Sequence, residues 1–111
     1  MKTTLHSPAL IERWNTMSLP EQLGNIGSEI HRMVTALSDE RRFILAKARA
    51  TELLMLTLAD TRWSATRIKE LTALNNQFKQ STENQIDSTE LNALDTYCFQ
   101  FGMLAAITKG R

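Results

Sequence analysis

The feature that most constrains the fold is one long, unbroken helical stretch at residues 38–60. It reads SDERRFILAKARATELLMLTLAD, contains neither Gly nor Pro, and is rich in residues that favour helices. Its first half is amphipathic, because Phe43, Ala46 and Ala50 share one face while arginine and lysine occupy the others. Its second half, residues 53–59, is apolar around the whole circumference. Such a helix must be covered on several sides, by neighbouring helices or by another copy of the chain.

A capping box marks the start of the preceding helix. Ser18 is followed three residues later by Glu21, so each side chain can bond the backbone N–H of the other residue. The helix then carries apolar residues at alternating spacings of four and three, which is typical of a narrow packing seam. These residues are Leu19, Leu23, Ile26, Ile30, Met33 and Leu37. Gly24 and Gly27 lie within this helix, and we interpret them as a place where another backbone approaches closely, with a kink as the alternative.

Capping signals predict three further helices. Ser7 with Pro8 opens a short helix over residues 8–14. Ser38 is predicted to cap the central helix, and either Asp60 or Ser64 caps a third long helix over about residues 62–79. A polar loop is predicted at residues 80–88.

The last helix is predicted over residues 88–108. Asp87 and Glu90 form a second capping box at its start, and Gly110 ends it. Its apolar stripe comprises Leu91, Leu94, Cys98, Phe101 and Ala105, and is widened by Tyr97, Phe99 and Leu104.

The connections between these helices are short, which favours antiparallel neighbours. No segment has the period of a strand, and no repeat is present. The sequence therefore predicts an all-α protein, an antiparallel up-down four-helix bundle with a short extra N-terminal helix. It forms a single domain over residues 1–111, in which residues 1–6 are a loose arm.

Composition narrows the cellular setting. The formal net charge of +1 gives no global field that would attract nucleic acid. One cysteine, Cys98, excludes an intramolecular disulfide and suits a reducing compartment. The longest apolar run is shorter than the roughly 20 residues of a membrane span, and the N-terminal stretch, which includes Glu12, does not have the pattern of a signal peptide. We expect a soluble, cytoplasmic protein that does not enter a membrane.

No motif for catalysis or metal binding stands out. His31 lacks the glutamate three residues earlier that di-iron bundles use, and no further ligands are spaced to complete a zinc site with Cys98. Because Cys98 lies on an apolar stripe, we interpret it as a small buried hydrophobe rather than a nucleophile. Gly24 and Gly27 lie inside a helix, unlike the glycines of a phosphate-binding loop. We predict no enzyme activity and no cofactor.

The basic residues suggest one binding role. Residues 38–69 contain seven basic and four acidic side chains, and Arg42 and Arg49 share a helix face. The candidate nucleic-acid-binding residues are Arg41, Arg42, Arg49 and Arg67. Oligomerisation would strengthen such a site, because each copy adds its own positive charge. The alternative is an ordinary solvated face with weak salt bridges.

Several segments resemble a known superfamily. They are the Leu-Pro-Glu-Gln-Leu segment at residues 19–23, residues 52–63, Lys69-Glu70-Leu71 and the spacing of Tyr97, Phe101 and Ala105. Together they resemble distant bacterial members of the four-helix-bundle superfamily that includes the 23S rRNA intervening-sequence protein and the accessory protein of diversity-generating retroelements. The resemblance covers most of the chain from Trp14 onward. It implies a non-enzymatic bundle, often a ring-like homo-oligomer, that assists a reverse transcriptase or RNA.

Two functions remain open from the sequence. One is an adaptor that forms a homo-oligomer and assists a nucleic-acid enzyme, such as a reverse transcriptase, or an RNA. The alternative is a protein-interaction or scaffold module with no nucleic-acid role. The apolar circumference of residues 53–59 and the Gly24/Gly27 notch both favour a homo-oligomer, because they require more cover than three partner helices easily supply.

Overall fold

The computed structural model describes residues 7–83 and 85–109, which fold into five helices with no strand among them. The helices are α1 (Pro8–Trp14), α2 (Leu19–Thr35), α3 (Glu40–Ala59), α4 (Ala65–Thr82) and α5 (Ser88–Lys109). The all-α class is therefore confirmed. The predicted arm at residues 1–6 and the predicted helix end at Gly110 lie outside the described residues. Within the described residues, no helix has the length and apolar character needed to cross a membrane.

The first two helices begin where the sequence predicts. The Ser7 hydroxyl accepts a hydrogen bond from the Leu10 backbone N–H at 3.1 Å. Both halves of the first capping box form, because the Ser18 N–H donates to Glu21 Oε1 at 2.9 Å and the Glu21 N–H donates to Ser18 Oγ at 3.2 Å.

The cap of α3 corrects the prediction for Ser38. Asp39 is the N-cap residue, and its Oδ1 accepts from the Arg42 N–H at 3.2 Å. The Asp39 N–H bonds back to the Ala36 carbonyl at 2.9 Å. Ser38 therefore belongs to the turn between α2 and α3. The next residue, Asp39, has a side-chain oxygen that can cap the helix.

The predicted loop at residues 80–88 is shorter than expected. Ser64 caps α4, as one of the two alternatives proposed, and α4 continues to Thr82. Ser81 and Thr82 are buried, and their hydroxyls donate to backbone carbonyls one turn earlier. The polar composition suggested a loop, but these hydroxyls satisfy their hydrogen bonds within the helix.

Only half of the second capping box forms. Asp87 Oδ1 accepts from the Glu90 N–H at 3.1 Å. The Asp87 N–H donates to the Ser81 carbonyl instead of to Glu90, and Glu90 Oε2 accepts from Gln77 Nε2 at 2.6 Å. Glu90 therefore links α5 to α4.

Helix α2 has the most extensive packing in the bundle, with α5 on one side and α3 on another. The buried core of α2 is four of its predicted seam residues, namely Leu23, Ile26, Ile30 and Met33. Of the other two, Leu19 is only partly buried, and Leu37 is 40% exposed because α2 ends at Thr35. The sequence placed α3 at the centre, but α2 occupies that position.

The apolar second half of α3 is covered mainly within the chain. Leu54, Leu56 and Thr57 are buried, and Leu53 and Leu58 are partly buried. Only Met55, at 53% exposure, and Ala59 face outward. This stretch therefore does not require a second copy of the chain.

Gly24 and Gly27 allow α5 to approach α2 closely, as the sequence suggested. A Cβ atom at Gly27 would lie 2.6 Å from Cys98 Cβ, and one at Gly24 would lie 2.8 Å from Gly102 Cα. Cβ atoms in proteins essentially never make non-bonded contacts this short. As α2 proceeds from Gly24 to Gly27, its contacts move back along α5 from Gly102 to Cys98, so these two helices are antiparallel.

An ion pair between a buried carboxylate and a partly exposed arginine joins the ends of three helices. The Asp60 side chain is 2% exposed, and the Arg62 guanidinium holds it, with Nη2 to Oδ2 at 2.7 Å. The same Nη2 donates to the Met17 carbonyl at 2.6 Å. Gln22 Nε2 donates to Asp60 Oδ2 at 3.0 Å. These bonds, led by the one from Arg62, lower the pKa of Asp60 from 3.8 to about 2.

Two tryptophans complete this buried polar cluster. Trp14 Nε1 donates to Thr57 Oγ1 at 3.1 Å, and Trp63 Nε1 donates to the Thr57 carbonyl at 3.1 Å. Gln22 Nε2 also donates to the Trp14 carbonyl at 2.9 Å. The cluster therefore ties α1 and α2 to the C-terminal end of α3.

We expect Gly27→Ala to destabilise the protein. Its new Cβ would displace the Cys98 Cβ and with it the α5 backbone, at a cost of about 1–3 kcal/mol that outweighs a helix-propensity gain of about 1 kcal/mol. Gly102→Ala is the matched control, because its Cβ would meet Gly24 Cα at an ordinary 3.6 Å. Thermal denaturation should lower the Tm of the first variant and maintain or raise that of the second. A raised Tm for Gly27→Ala would contradict the close packing.

We expect the contribution of Asp60 to stability to depend on pH. Its folded-state pKa lies below the unfolded value of 3.8, so the stabilisation is fully present above pH 3.8 and is lost as pH falls towards about 2. A shift of this size corresponds to about 2 kcal/mol at neutral pH. Urea unfolding should show a lower free energy of unfolding for Asp60→Asn than for the wild type at pH 7. The difference between the two should become smaller as the pH falls below 3.8. A difference that stays constant between pH 7 and pH 2 would contradict the role of the Asp60 charge.

Candidate functional site

An apolar surface lies on the outer side of α5. It consists of five large side chains whose exposure ranges from 44% to 64%, namely Tyr97, Phe99, Met103, Leu104 and Ile107. We refer to these five residues as the α5 apolar surface. The sequence assigned Tyr97, Phe99 and Leu104 to a widened core stripe, but α2 and α4 cover only the opposite side of the helix. There Leu91, Leu94 and Cys98 are buried.

A groove between α2 and α5 borders this surface. Its volume is about 560 Å³. Gly24, Gly27 and Gly102 contribute to its lining, and Phe99 and Met103 contribute apolar side chains. The groove follows from the glycine contacts, because side chains at these three positions would fill part of it.

One polar contact bridges the two helices along the groove. His31 Nδ1 lies 3.0 Å from Asp95 Oδ2, and both residues line the groove. The His31 side chain is 62% exposed and that of Asp95 is 20% exposed. This contact supplies a polar edge to a mainly apolar groove.

A second, smaller hollow lies between α2 and α3. Its volume is about 160 Å³, and it is lined by Arg42 and Arg49 from α3 and by Arg32 and Glu29 from α2. Arg32 Nη1 donates to Glu29 Oε2 at 2.7 Å. We call this the arginine hollow. The sequence predicted that Arg42 and Arg49 share a face, and both line this hollow, but it did not identify Arg32, which lies on another helix.

The other two predicted nucleic-acid-binding residues are elsewhere. Arg41 is exposed on α3 but does not line the arginine hollow. Arg67 lies at the start of α4, where its Nη1 pairs with Glu70 Oε1 at 2.9 Å. It borders a different hollow, of about 360 Å³, together with Tyr97. The four arginines therefore do not form one continuous site.

Cys98 is fully buried beneath α2, as expected for a core residue. Burial raises the pKa of its thiol from 9.0 to about 12. The thiol is therefore protonated at neutral pH, and a protonated thiol is a poor nucleophile. Across residues 7–83 and 85–109, no group of three or more His, Cys, Asp or Glu side chains is arranged to hold a metal ion.

Comparison of the chain with known protein families, with curated proteins and with solved structures finds no match in any of the three.

Proposed function

We propose that this chain is a non-enzymatic helical-bundle adaptor that forms a homo-oligomer and assists a nucleic-acid enzyme or an RNA in the cytoplasm. The observation that carries the proposal is the α5 apolar surface. Large, contiguous apolar patches are uncommon on soluble monomers and mark sites of interaction.

The proposed architecture is an antiparallel up-down bundle of four long helices, α2 to α5, with α1 as a short extra helix. Two contacts support it. The glycine contacts run in opposite directions along α2 and α5. Lys47 Nζ donates to the Thr82 carbonyl at 3.1 Å, which brings the first half of α3 beside the end of α4. A bundle of this kind also fits the superfamily that the sequence resembles.

The proposed homo-oligomer uses α5. Aromatic residues and methionine are enriched at protein interfaces, and Tyr97, Phe99 and Met103 are all at least 44% exposed. A two-fold dimer suits such a surface, because the same patch of both copies forms the interface. Covering it would remove the largest apolar side chains of α5 from water.

The nucleic-acid part of the proposal is supported by Arg42 and Arg49, which lie together with Arg32 around the arginine hollow. Arg41 extends the basic surface along α3. An RNA, or a nucleic-acid enzyme such as a reverse transcriptase, is the partner class that the superfamily resemblance suggests.

A specific observation favours the alternative, a protein-interaction or scaffold module without a nucleic-acid role. Two arginines that line surface hollows already form ion pairs. Arg32 pairs with Glu29, and Arg67 pairs with Glu70. Exposed pairs of this kind add little to stability, but each reduces the local positive charge.

Substitution of Phe99 tests the interface. We expect Phe99→Ser to reduce the oligomer mass in sedimentation equilibrium, because the most exposed side chain of the α5 apolar surface would no longer be apolar. Ile44→Ser is the matched control, since Ile44 is 56% exposed and belongs to α3. A monomeric wild type at tens of micromolar would contradict the homo-oligomer. An equal effect of the two substitutions would instead contradict the use of α5.

Purification of the tagged protein from its host, with and without nuclease, separates the two functions. An adaptor for nucleic acid should retain RNA, or a polymerase whose association falls steeply with salt, because each phosphate contact releases counterions. A scaffold module should retain a protein partner through apolar contacts. The amount of partner retained should change little when salt or nuclease is added. Recovery of neither RNA nor a polymerase would contradict the nucleic-acid role.

A further inference from the structure

We infer that the arginine hollow is a binding site for a phosphate group, which Arg32, Arg42 and Arg49 hold together. The inference rests on the nucleic-acid part of the proposed function and deepens it, since it assigns one phosphate of the backbone to one defined place. The donors are the guanidinium groups of three arginines, one on α2 and two on α3.

The positions of the three arginines suit a small anion. Arg42 and Arg49 are seven residues apart on α3, which is two helical turns, or about 10 Å along the helix axis. Their long side chains can converge from both ends of that interval, and Arg32 lines the hollow from α2. A volume of about 160 Å³ accommodates a phosphate group but not a whole nucleotide lying flat.

The charges around the hollow are unbalanced. Of the described residues that line it, three are arginines and Glu29 is the only acidic one. Glu29 already accepts from Arg32, and neither Arg42 nor Arg49 forms a side-chain ion pair with any described residue. The hollow therefore carries two uncompensated positive charges beside an apolar wall formed by Ala46 and its neighbours, where electrostatic attraction is less screened than in open solvent.

The chemistry of guanidinium suits a phosphate group. Each guanidinium presents a planar fork of N–H donors that matches two phosphate oxygens. Two or three forks from different directions can satisfy the oxygens of a single phosphate.

The four arginines that the sequence grouped together fall into two sets. Arg42 and Arg49 belong to the site, whereas Arg41, next to Arg42 in sequence, does not line the hollow. Arg67 pairs with Glu70 on a different helix. A general electrostatic surface would use all four alike.

The first experiment uses inorganic phosphate as the probe. NMR signals of the arginine Nε–H groups in the full chain are recorded during a phosphate titration and a chloride titration of equal ionic strength. We expect saturable shifts for Arg32, Arg42 and Arg49 with phosphate, and no comparable shifts for Arg41 or Arg67. Equal shifts in all five arginines, or no saturable shift in any, would overturn the inference.

The second experiment uses a short fluorescein-labelled single-stranded RNA and measures its affinity by anisotropy over a range of salt concentrations. We expect Arg42→Gln and Arg49→Gln each to weaken binding about tenfold at low salt and to reduce the slope of log K against log salt by about one. Arg13→Gln is the matched control, because it removes an exposed arginine of α1 outside the hollow. Arg42 and Arg49 are both exposed, so circular dichroism should show unchanged folding in these variants.

The two experiments separate failure of the site from failure of the wider proposal. If RNA binds but Arg42→Gln and Arg49→Gln weaken it no more than Arg13→Gln does, the phosphate site is wrong and nucleic-acid binding resides elsewhere. If phosphate saturates the hollow but RNA does not bind, the site is correct and the nucleic-acid role is wrong.

Discussion

The close approach of α2 and α5 is the constraint on which the rest of the structure depends. It requires the absence of side chains at Gly24 and Gly27, whose Cβ atoms would collide with Gly102 and Cys98. With the backbones this close, one side of α5 is buried against α2, and the other side turns its aromatic and methionine residues to the solvent. The same packing therefore produces both the core at Cys98 and the α5 apolar surface.

A different kind of interaction fixes the other side of α2. A carboxylate as deeply buried as Asp60 is stable only when its oxygens are fully engaged, and here the donors come from Arg62 and Gln22. These hydrogen bonds are directional, so they set the positions of the helix ends, whereas the glycine contacts set only how closely two helices lie. Distance and register in this bundle are therefore determined by two separate sets of residues.

The groove that borders the α5 apolar surface and the arginine hollow both reach α2. Arg32 lines both the groove beside α5 and the arginine hollow beside α3. One surface is mainly apolar and the other mainly basic, so they suit partners of different chemistry. The proposed adaptor would use this separation, because a single surface cannot hold a second copy and a phosphate at the same time.

The sequence by itself determined the helices, most of their ends and most of the core. Local signals suffice for this, since a capping box acts within four residues and an apolar stripe repeats within two turns. It also predicted that the α2 glycines admit another backbone. Only the tertiary structure decided that this backbone is α5, that Arg32 joins Arg42 and Arg49, and that Arg67 does not. Those outcomes depend on which helix faces touch, and residues on different helices carry no local signal of their contact. The same reason explains Asp60, which the sequence assigned to a helix end, while the fold brought Gln22 to it from α2.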